Sequence, residues 1–528
     1  MTEIREMYDL VKKLLWRRDP AYNSLVKKQS ASGKLLAIIA GNDGISDIEA
    51  AERLYSEIDD ENQRMKLFRK QKYKLTNGLI RALCFLNLNH TSSSEYLVAA
   101  YSAKRELLAA ELALWMQSHH AMHFIVKRVL KKAAKYHLTK ELLRCYEMLR
   151  YHSYNSGSKS DCLTYTTLVE KTFEVLDAEI WASNLKARVR AELIGQIALR
   201  PDAVKTFLPA VEKLEELTLK HNTRNLWHNY SLVSGIVLRN DGNIQQALSV
   251  YDKHFNFLES NSHLSSSERI SQICFYALRC SLIARDYEQA KKFAERGLQG
   301  QEVGTLSWFA HMSLHVILLM HTRRWKVAGE LFQWAVRHPN FHKEPQRIEL
   351  WSVYEGYIRF FCDESHLLPD NVTVHGSMFH LNHLLEEVNL ARQDKSGLNI
   401  ALLIFQVLHR LKERQFGLLE TRIKSLENYA YNHMRNEDCS RFIRTKRLFK
   451  LISLLPSCHY NLAKIGSRAK ADYVKLRDIL QIDHMRVQQI EEIVPYEHIW
   501  ERVLIELKQI EQEGHFVKEY RGAYQSAP

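Results

Sequence analysis

Glycine and proline are scarce in this chain, with 19 and 9 residues among 528. Sheets joined by hairpins need glycine-rich turns, so such thin punctuation argues against a large all-β fold and favours helices with short links. Long apolar runs are also missing. The longest, such as "IALLIF" (400–405) and "VILLM" (316–320), fall far short of the ~20 residues a membrane-spanning helix requires. The eight cysteines, Cys84, Cys145, Cys162, Cys274, Cys280, Cys362, Cys439 and Cys458, include no C-x-x-C pair. They scatter among apolar neighbours, as free thiols do, which argues against a disulfide framework. "MTEIREMYDLVKKLLWRRDP" at the N-terminus mixes acids with bases and has no apolar core, so no signal peptide is expected. Together these features predict a cytoplasmic chain with no membrane association.

Signatures of catalysis are absent as well. The sequence holds no G-x-x-x-x-G-K-[ST], no G-x-G-x-x-G, no H-E-x-x-H and no G-x-S-x-G. "GSKS" (157–160) lacks the loop length and the preceding strand of a phosphate loop. Among the 25 histidines, His119 and His123 stand four apart, as do His311 and His315. That spacing suits zinc, but no cysteine or carboxylate at a matching distance completes a ligand set. Adjacent carboxylates such as Glu386–Glu387 and Asp59–Asp60–Glu61 lie on polar faces or in turns, pointing apart rather than converging. The expectation is a protein without catalytic residues, cofactor or metal.

What is present is length, apolar content and positive charge. Apolar residues make up 46% of the chain, enough for folded structure, and 528 residues exceed what one compact core usually takes. Several domains or an elongated array are expected. A formal charge of +13 favours anionic partners in general, diluted over a large surface.

Residues 1–92 read as an N-terminal helical domain. Helices are expected at 6–17, 34–40, 46–55 and 64–87, with Ser46 as N-cap and Glu49 completing a capping box. In the last of these, Leu67, Tyr73, Leu75, Leu79 and Leu83 fall at helical spacing. Its polar side carries Arg64, Lys66, Arg69, Lys70, Lys72 and Lys74. Such a segment is either a helix-turn-helix whose cations contact phosphates or a cap that shields the end of an array.

Helices then follow one another at 95–117, 119–136, 139–152, 161–197 and 202–220. The stretch 223–338 repeats itself. "GNIQQALSVYDKHF", "RDYEQAKKFAERGL" and "RRWKVAGELFQWAV" each place a bulky residue three before an alanine: Ile244 and Ala247, Tyr287 and Ala290, Trp325 and Ala328. Each unit reads as a helix, a short polar turn and a second helix, with the alanine at the crossing where a larger side chain would push the pair apart. The pattern recurs because each hairpin solves the same packing problem against its neighbour.

These units resemble the tetratricopeptide repeat (TPR). Gly235, Ala247 and Tyr251 match that family's small, alanine and aromatic positions, and His254 departs. Ala328, Phe332 and Ala335 match, with Val316 at the small position. Ala290 matches, while Leu278, Ala294 and Gly297 do so in part. The alanines are 43 and 38 residues apart, where the family repeats every ~34. Stretch 394–434 is similar to the C-terminal part of large, functionally unassigned bacterial proteins built from TPR-like helices, and that resemblance brings no catalytic residue. Further helices are expected at 347–361, 379–393, 398–415, 418–435 and 496–513, with a long irregular link at 363–378. In the basic tail, Arg441, Arg444 and Lys446 or Arg447 cluster on one helix, a second, weaker candidate for phosphate contact.

The expected fold is therefore all-α: an α-solenoid of TPR-like hairpins over 93–440, a helical N-terminal domain or cap over 1–92, and a basic helical segment over 441–528 that caps the array. The resemblance implies a groove made by the first helices, with Arg239, Asn240, Arg279 and His321 near it, and a protein or peptide partner held there. The alternative is a nucleic-acid-binding regulator that uses the basic N-terminal helix.

Overall fold

The computed structural model describes residues 2–14, 30–42, 44–84, 88, 94–194, 199, 201–343, 345–362, 398–434, 443–478 and 492–512. Among these residues there are 21 α-helices, two short 3₁₀ turns and no strand, so the protein is all-α. No helix among them is long and apolar enough to cross a membrane. The expected link at 363–378, the helix at 379–393 and the final "YRGAYQSAP" lie outside the described residues. The chain forms two compact units, Met1–Glu174 and Val175–Pro528.

The first unit opens with α1 (Thr2–Leu14), α2 (Ala31–Gly41), α3 (Asp47–Leu54) and α4 (Glu61–Cys84) around a core of Ile4, Val11, Leu35, Ile39, Phe68 and Leu75. The capping box at α3 is present: Ser46 Oγ accepts from the Glu49 amide at 3.2 Å, and Glu49 accepts from the Ser46 amide at 3.0 Å. On α4 the buried stripe runs Phe68, Gln71, Leu75, Leu79, Ala82. Tyr73, expected on the apolar face, is 70% exposed, because it sits well round the helix from that stripe. Next come α5 (Glu95–Trp115), α6 (His119–Lys135), α7 (Thr139–Asn155) and α8 (Lys159–Ala191), within which the unit boundary falls. The expected division at residue 92 lies outside the described residues. The helices on either side of it are joined, since Tyr101 on α5 donates to the Leu83 carbonyl of α4 at 2.6 Å.

The second unit continues with α9 (Pro201–His221), α10 (Arg224–Asn240), α11 (Ile244–Ser260), α12 (Ser267–Ala284), α13 (Tyr287–Leu298), α14 (Leu306–His321), α15 (Trp325–Val336) and α16 (Pro345–Phe361). It ends with α17 (Leu398–Lys412), α18 (Phe416–Met434), α19 (Ile443–Ser457), α20 (Leu462–Asp478) and α21 (Tyr496–Gln512). Helices pack against their successors, and α12 also packs on the other first helices α10 and α14. Ala247, Ala290 and Ala328 are fully buried at the hairpin crossings. Two of the bulky residues reach into the next hairpin: Trp325 stacks on Phe361 at 4.7 Å, and Tyr287 meets His321 edge-on at 6.0 Å. Gly235 permits the closest approach, since a Cβ there would overlap the Tyr251 hydroxyl of α11.

One turn geometry joins the hairpins in both units. A left-handed residue follows the end of one helix, and the amide after it bonds back five residues. Gln117, His137, Gly157, Gly242, Arg285, Arg323, Arg414 and His459 hold that position, and only two of them are glycine. Three arginines stand there instead, and each meets an acid of the last helix. Arg285 pairs with Glu497 at 2.9 Å, Arg323 pairs with Glu501, and Arg414 pairs with Glu506 at 3.2 Å. Helix α21 thus lies against the turns of three hairpins, α12–α13, α14–α15 and α17–α18, and also packs on α17, α19 and α20.

Candidate functional site

The first helices bring two of the expected groove residues together. Arg239, in the last turn of α10, is only 4% exposed, and Arg279 on α12 is half-buried beside it. Tyr251 of α11, Cys280 of α12 and Tyr354 of α16 are buried within reach of their charge, with the half-buried Tyr276 next to them. Burial first, and then the neighbouring Arg239, lowers the Arg279 pKa to about 9. Burial likewise raises the pKa of Tyr251, Tyr354 and Cys280. The Arg279 guanidinium lies over the Phe275 ring at 5.6 Å, a cation–π contact one turn back on the same helix.

Phe275 and Tyr276 also line a cleft of about 550 Å³ between α12 and α14, closed at one end by the loop Gly300–Thr305. Gln272, Gln301, Glu302 and His311 complete most of its wall. His311 Nε2 contacts the Ser271 carbonyl at 2.9 Å and its hydroxyl at 3.0 Å, and Gln301 donates to the same hydroxyl. A neutral ring donating Nε2–H to that carbonyl leaves Nδ1 as an acceptor, and Nδ1 is buried without a partner. Burial lowers the His311 pKa to about 4, with the Ser271 carbonyl opposing the shift. The close approach of α13 to this histidine explains Gly297, where a Cβ would overlap the His311 ring. The cleft thus offers aromatic walls and hydrogen-bonding groups at one end, and the Arg279 guanidinium lies over one of its wall rings, Phe275. That combination suits holding a polar-aromatic ligand, the usual make-up of a binding pocket.

The other two expected groove residues are engaged in bonds within the fold. Asn240 donates to the Ile236 carbonyl at 2.7 Å and accepts from the Leu199 amide at 3.2 Å. His321 is buried, and its Nε2 meets the Glu492 carbonyl at 2.8 Å, under the segment that leads into α21. Helix position alone carries no sign that the segment before α21 covers this end of α14.

In the first unit, Lys66, Arg69, Lys70 and Lys74 are exposed along one side of α4 around the exposed Tyr73. Arg64 instead donates to the Ile58 carbonyl at 3.2 Å, and Lys72 pairs with Asp47 at 2.7 Å. The tightly joined pair of the bundle is α2 and α3. Its second helix, the one a helix-turn-helix would insert in a groove, carries Asp47, Glu49 and Glu52. That sign of charge repels phosphate. In the tail, Arg441 lies outside the described residues. Arg444 is buried and bonds Glu492 at 2.6 Å, Glu497 at 2.7 Å and the Leu476 carbonyl at 2.6 Å. Arg447 pairs with Asp472 at 2.7 Å. Arg444 and Arg447 are therefore structural: Glu492, Glu497 and Asp472 meet them, which sequence spacing did not reveal.

Histidines of α6 pack on rings of α7: His123 lies 4.7 Å from His152, and burial lowers both pKa values. Among the described residues, no group of three or more His, Cys, Asp or Glu side chains is placed to hold a metal ion. Comparison of the chain with protein-family models, with curated proteins and with solved structures finds no match.

Proposed function

We propose that the protein is a cytoplasmic interaction scaffold of the TPR-like kind, which holds a partner protein or peptide against the first helices of its hairpin array and performs no catalysis. The observation that carries this reading is the cleft between α12 and α14. It is lined by Phe275 and Tyr276, and His311 Nδ1 and Gln301 Oε1 are buried at its wall without a partner. Aromatic surface beside unspent hydrogen-bonding groups is what a peptide segment recognises. Fold alone does not assign function, so the reading rests on the site. A photo-crosslinking residue at Gln272, in the cleft, is expected to give one discrete protein adduct in lysate of the source organism. The same group at Trp334, half exposed on the second helix α15, is expected to give none. Equal adducts from both positions would remove the cleft from the account.

A second reading is kept by one observation, the exposed row of Lys66, Arg69, Lys70 and Lys74 around Tyr73. Cations flanking an exposed aromatic ring suit single-stranded nucleic acid, with the ring as a stacking platform. Fluorescence anisotropy with a labelled oligonucleotide tests it. This reading expects affinity that falls steeply with salt and is lost in Lys66→Glu/Lys70→Glu/Lys74→Glu.

A further inference from the structure

Arg239 and Arg279 lie near enough inside the second unit for their charges to repel, and neither has an ion pair among the described residues. All three guanidinium nitrogens of Arg239 are buried without a hydrogen-bond partner. Other buried arginines of this unit are satisfied. Arg224 donates to the Leu264 carbonyl at 2.5 Å, and Arg444 is held by Glu492 and Glu497. Two like charges side by side in a poorly solvated place repel, and a guanidinium does not readily escape by giving up its proton. The hydroxyl of Tyr251 is also buried without a partner, close enough to both arginines to feel their charge. Every unsatisfied group here is a donor, and what is missing is an acceptor carrying negative charge.

We propose that Arg239, Arg279 and the Tyr251 hydroxyl form a receptor for a phosphoryl group, carried by a ligand whose remainder lies in the adjoining cleft. A phosphomonoester dianion matches two guanidinium charges, and its oxygens match their forked donors. A single carboxylate would leave one charge uncompensated. Access is through Arg279, which is half-buried rather than enclosed and shares Phe275 with the cleft. Glu268 and Glu302 line the far part of that cleft, so the remainder of the ligand is neutral or cationic. This site goes beyond the scaffold reading and does not depend on the ligand being a protein.

The test is isothermal titration calorimetry of the full chain in phosphate-free buffer at constant ionic strength, with inorganic phosphate and, separately, O-phospho-L-serine as probes. Saturable 1:1 binding is expected, weakened about tenfold or more in Arg279→Met and absent in Arg239→Met/Arg279→Met. The double variant, relieved of two unpaired buried charges, is expected to melt no lower than the wild type in that buffer. Tyr251→Phe, which removes one hydroxyl, keeps the test open if the double variant does not fold, and it is expected to weaken phosphate binding several-fold. Tighter binding of phosphoserine points to an organic phosphomonoester, and equal binding to recognition of the phosphoryl group alone; both support the site. No saturable binding of either probe, or an unchanged affinity in Arg279→Met and Tyr251→Phe, overturns it.

Discussion

Arg444→Met is the substitution whose consequence follows most directly from the packing. Arg444 makes bonds to both Glu492 oxygens, at 2.6 and 3.1 Å, to Glu497 at 2.7 Å and to the Leu476 carbonyl at 2.6 Å. All three side chains are less than a tenth exposed. Methionine fills most of the volume but leaves two buried carboxylates, with Arg285 alone remaining on Glu497. Breaking a buried ion pair by removing one partner costs about 3–5 kcal/mol. Arg323 and Glu501, at the same helix, are 53% and 40% exposed, and that pair contributes at most about 1 kcal/mol. Hydrogen exchange of the α21 amides reads the difference. About 4 kcal/mol corresponds to exchange on the order of 10³-fold faster in Arg444→Met, against a few-fold in Arg323→Met.

The pH dependence of that effect has a definite sign. In the wild type, burial alone would raise the Glu497 pKa, but the bond from Arg444 and the charges of Arg444 and Arg285 hold it below the ordinary glutamate value. A depressed carboxylate pKa gives stability that is present above the unfolded value, near ~4.3, and is lost as pH falls through the folded one. Without Arg444 burial outweighs the remaining Arg285 charge, the Glu497 pKa rises, and its protonation in the folded state stabilises that state. The deficit of Arg444→Met is therefore expected to shrink between pH 7 and pH 5. Exchange within fivefold of the wild type, or a deficit that grows toward pH 5, would refute the network as described.

Gly235→Ala forces a Cβ into the Tyr251 hydroxyl, and overpacking of this kind is expected to destabilise by about 1–3 kcal/mol, read as a lower Tm. Gln117→Gly relieves a left-handed backbone at φ 57° and is expected to stabilise the first unit by about 1 kcal/mol, measured by urea titration. Burial first, then Arg269 and Arg224, lowers the His254 pKa to about 3, so the folded state keeps this ring neutral where the unfolded chain protonates it. Stability is therefore lost as pH falls from ~6.5 toward the folded value, by about 1.4 kcal/mol per pH unit for this one group. His254→Gln, which can still bond Ser231, is expected to flatten that decline in a Tm-versus-pH series.

The helices were legible because their signals are local. Apolar spacing, the Ser46–Glu49 box and the recurring alanines at 247, 290 and 328 each depend on residues a few positions apart. Helix ends were displaced where capping decided them, as at Glu61 for a helix expected from residue 64, where Asp60 Oδ1 accepts from the Asn62 amide at 2.9 Å. Arg239 and Arg279 were singled out from helix position, yet their lack of a partner is a fact of packing between α10, α11, α12 and α16. The roles of Arg285, Arg323 and Arg414 were not legible either. They hold turn positions that usually favour glycine, and their acids come from a helix roughly ninety to two hundred residues later. The internal use of Arg444 was missed for the same reason: Glu492 and Glu497 are 48 and 53 residues away.

The most direct test of the proposed function is affinity capture from native lysate, with and without nuclease. The full chain is compared with two variants, Phe275→Ser/Tyr276→Ser in the cleft and Lys66→Glu/Lys70→Glu/Lys74→Glu on α4. The account predicts one protein partner that survives nuclease, is retained by the α4 variant and is lost by the cleft variant. Capture of nucleic acid that disappears with the α4 variant, and is indifferent to the cleft variant, would contradict it.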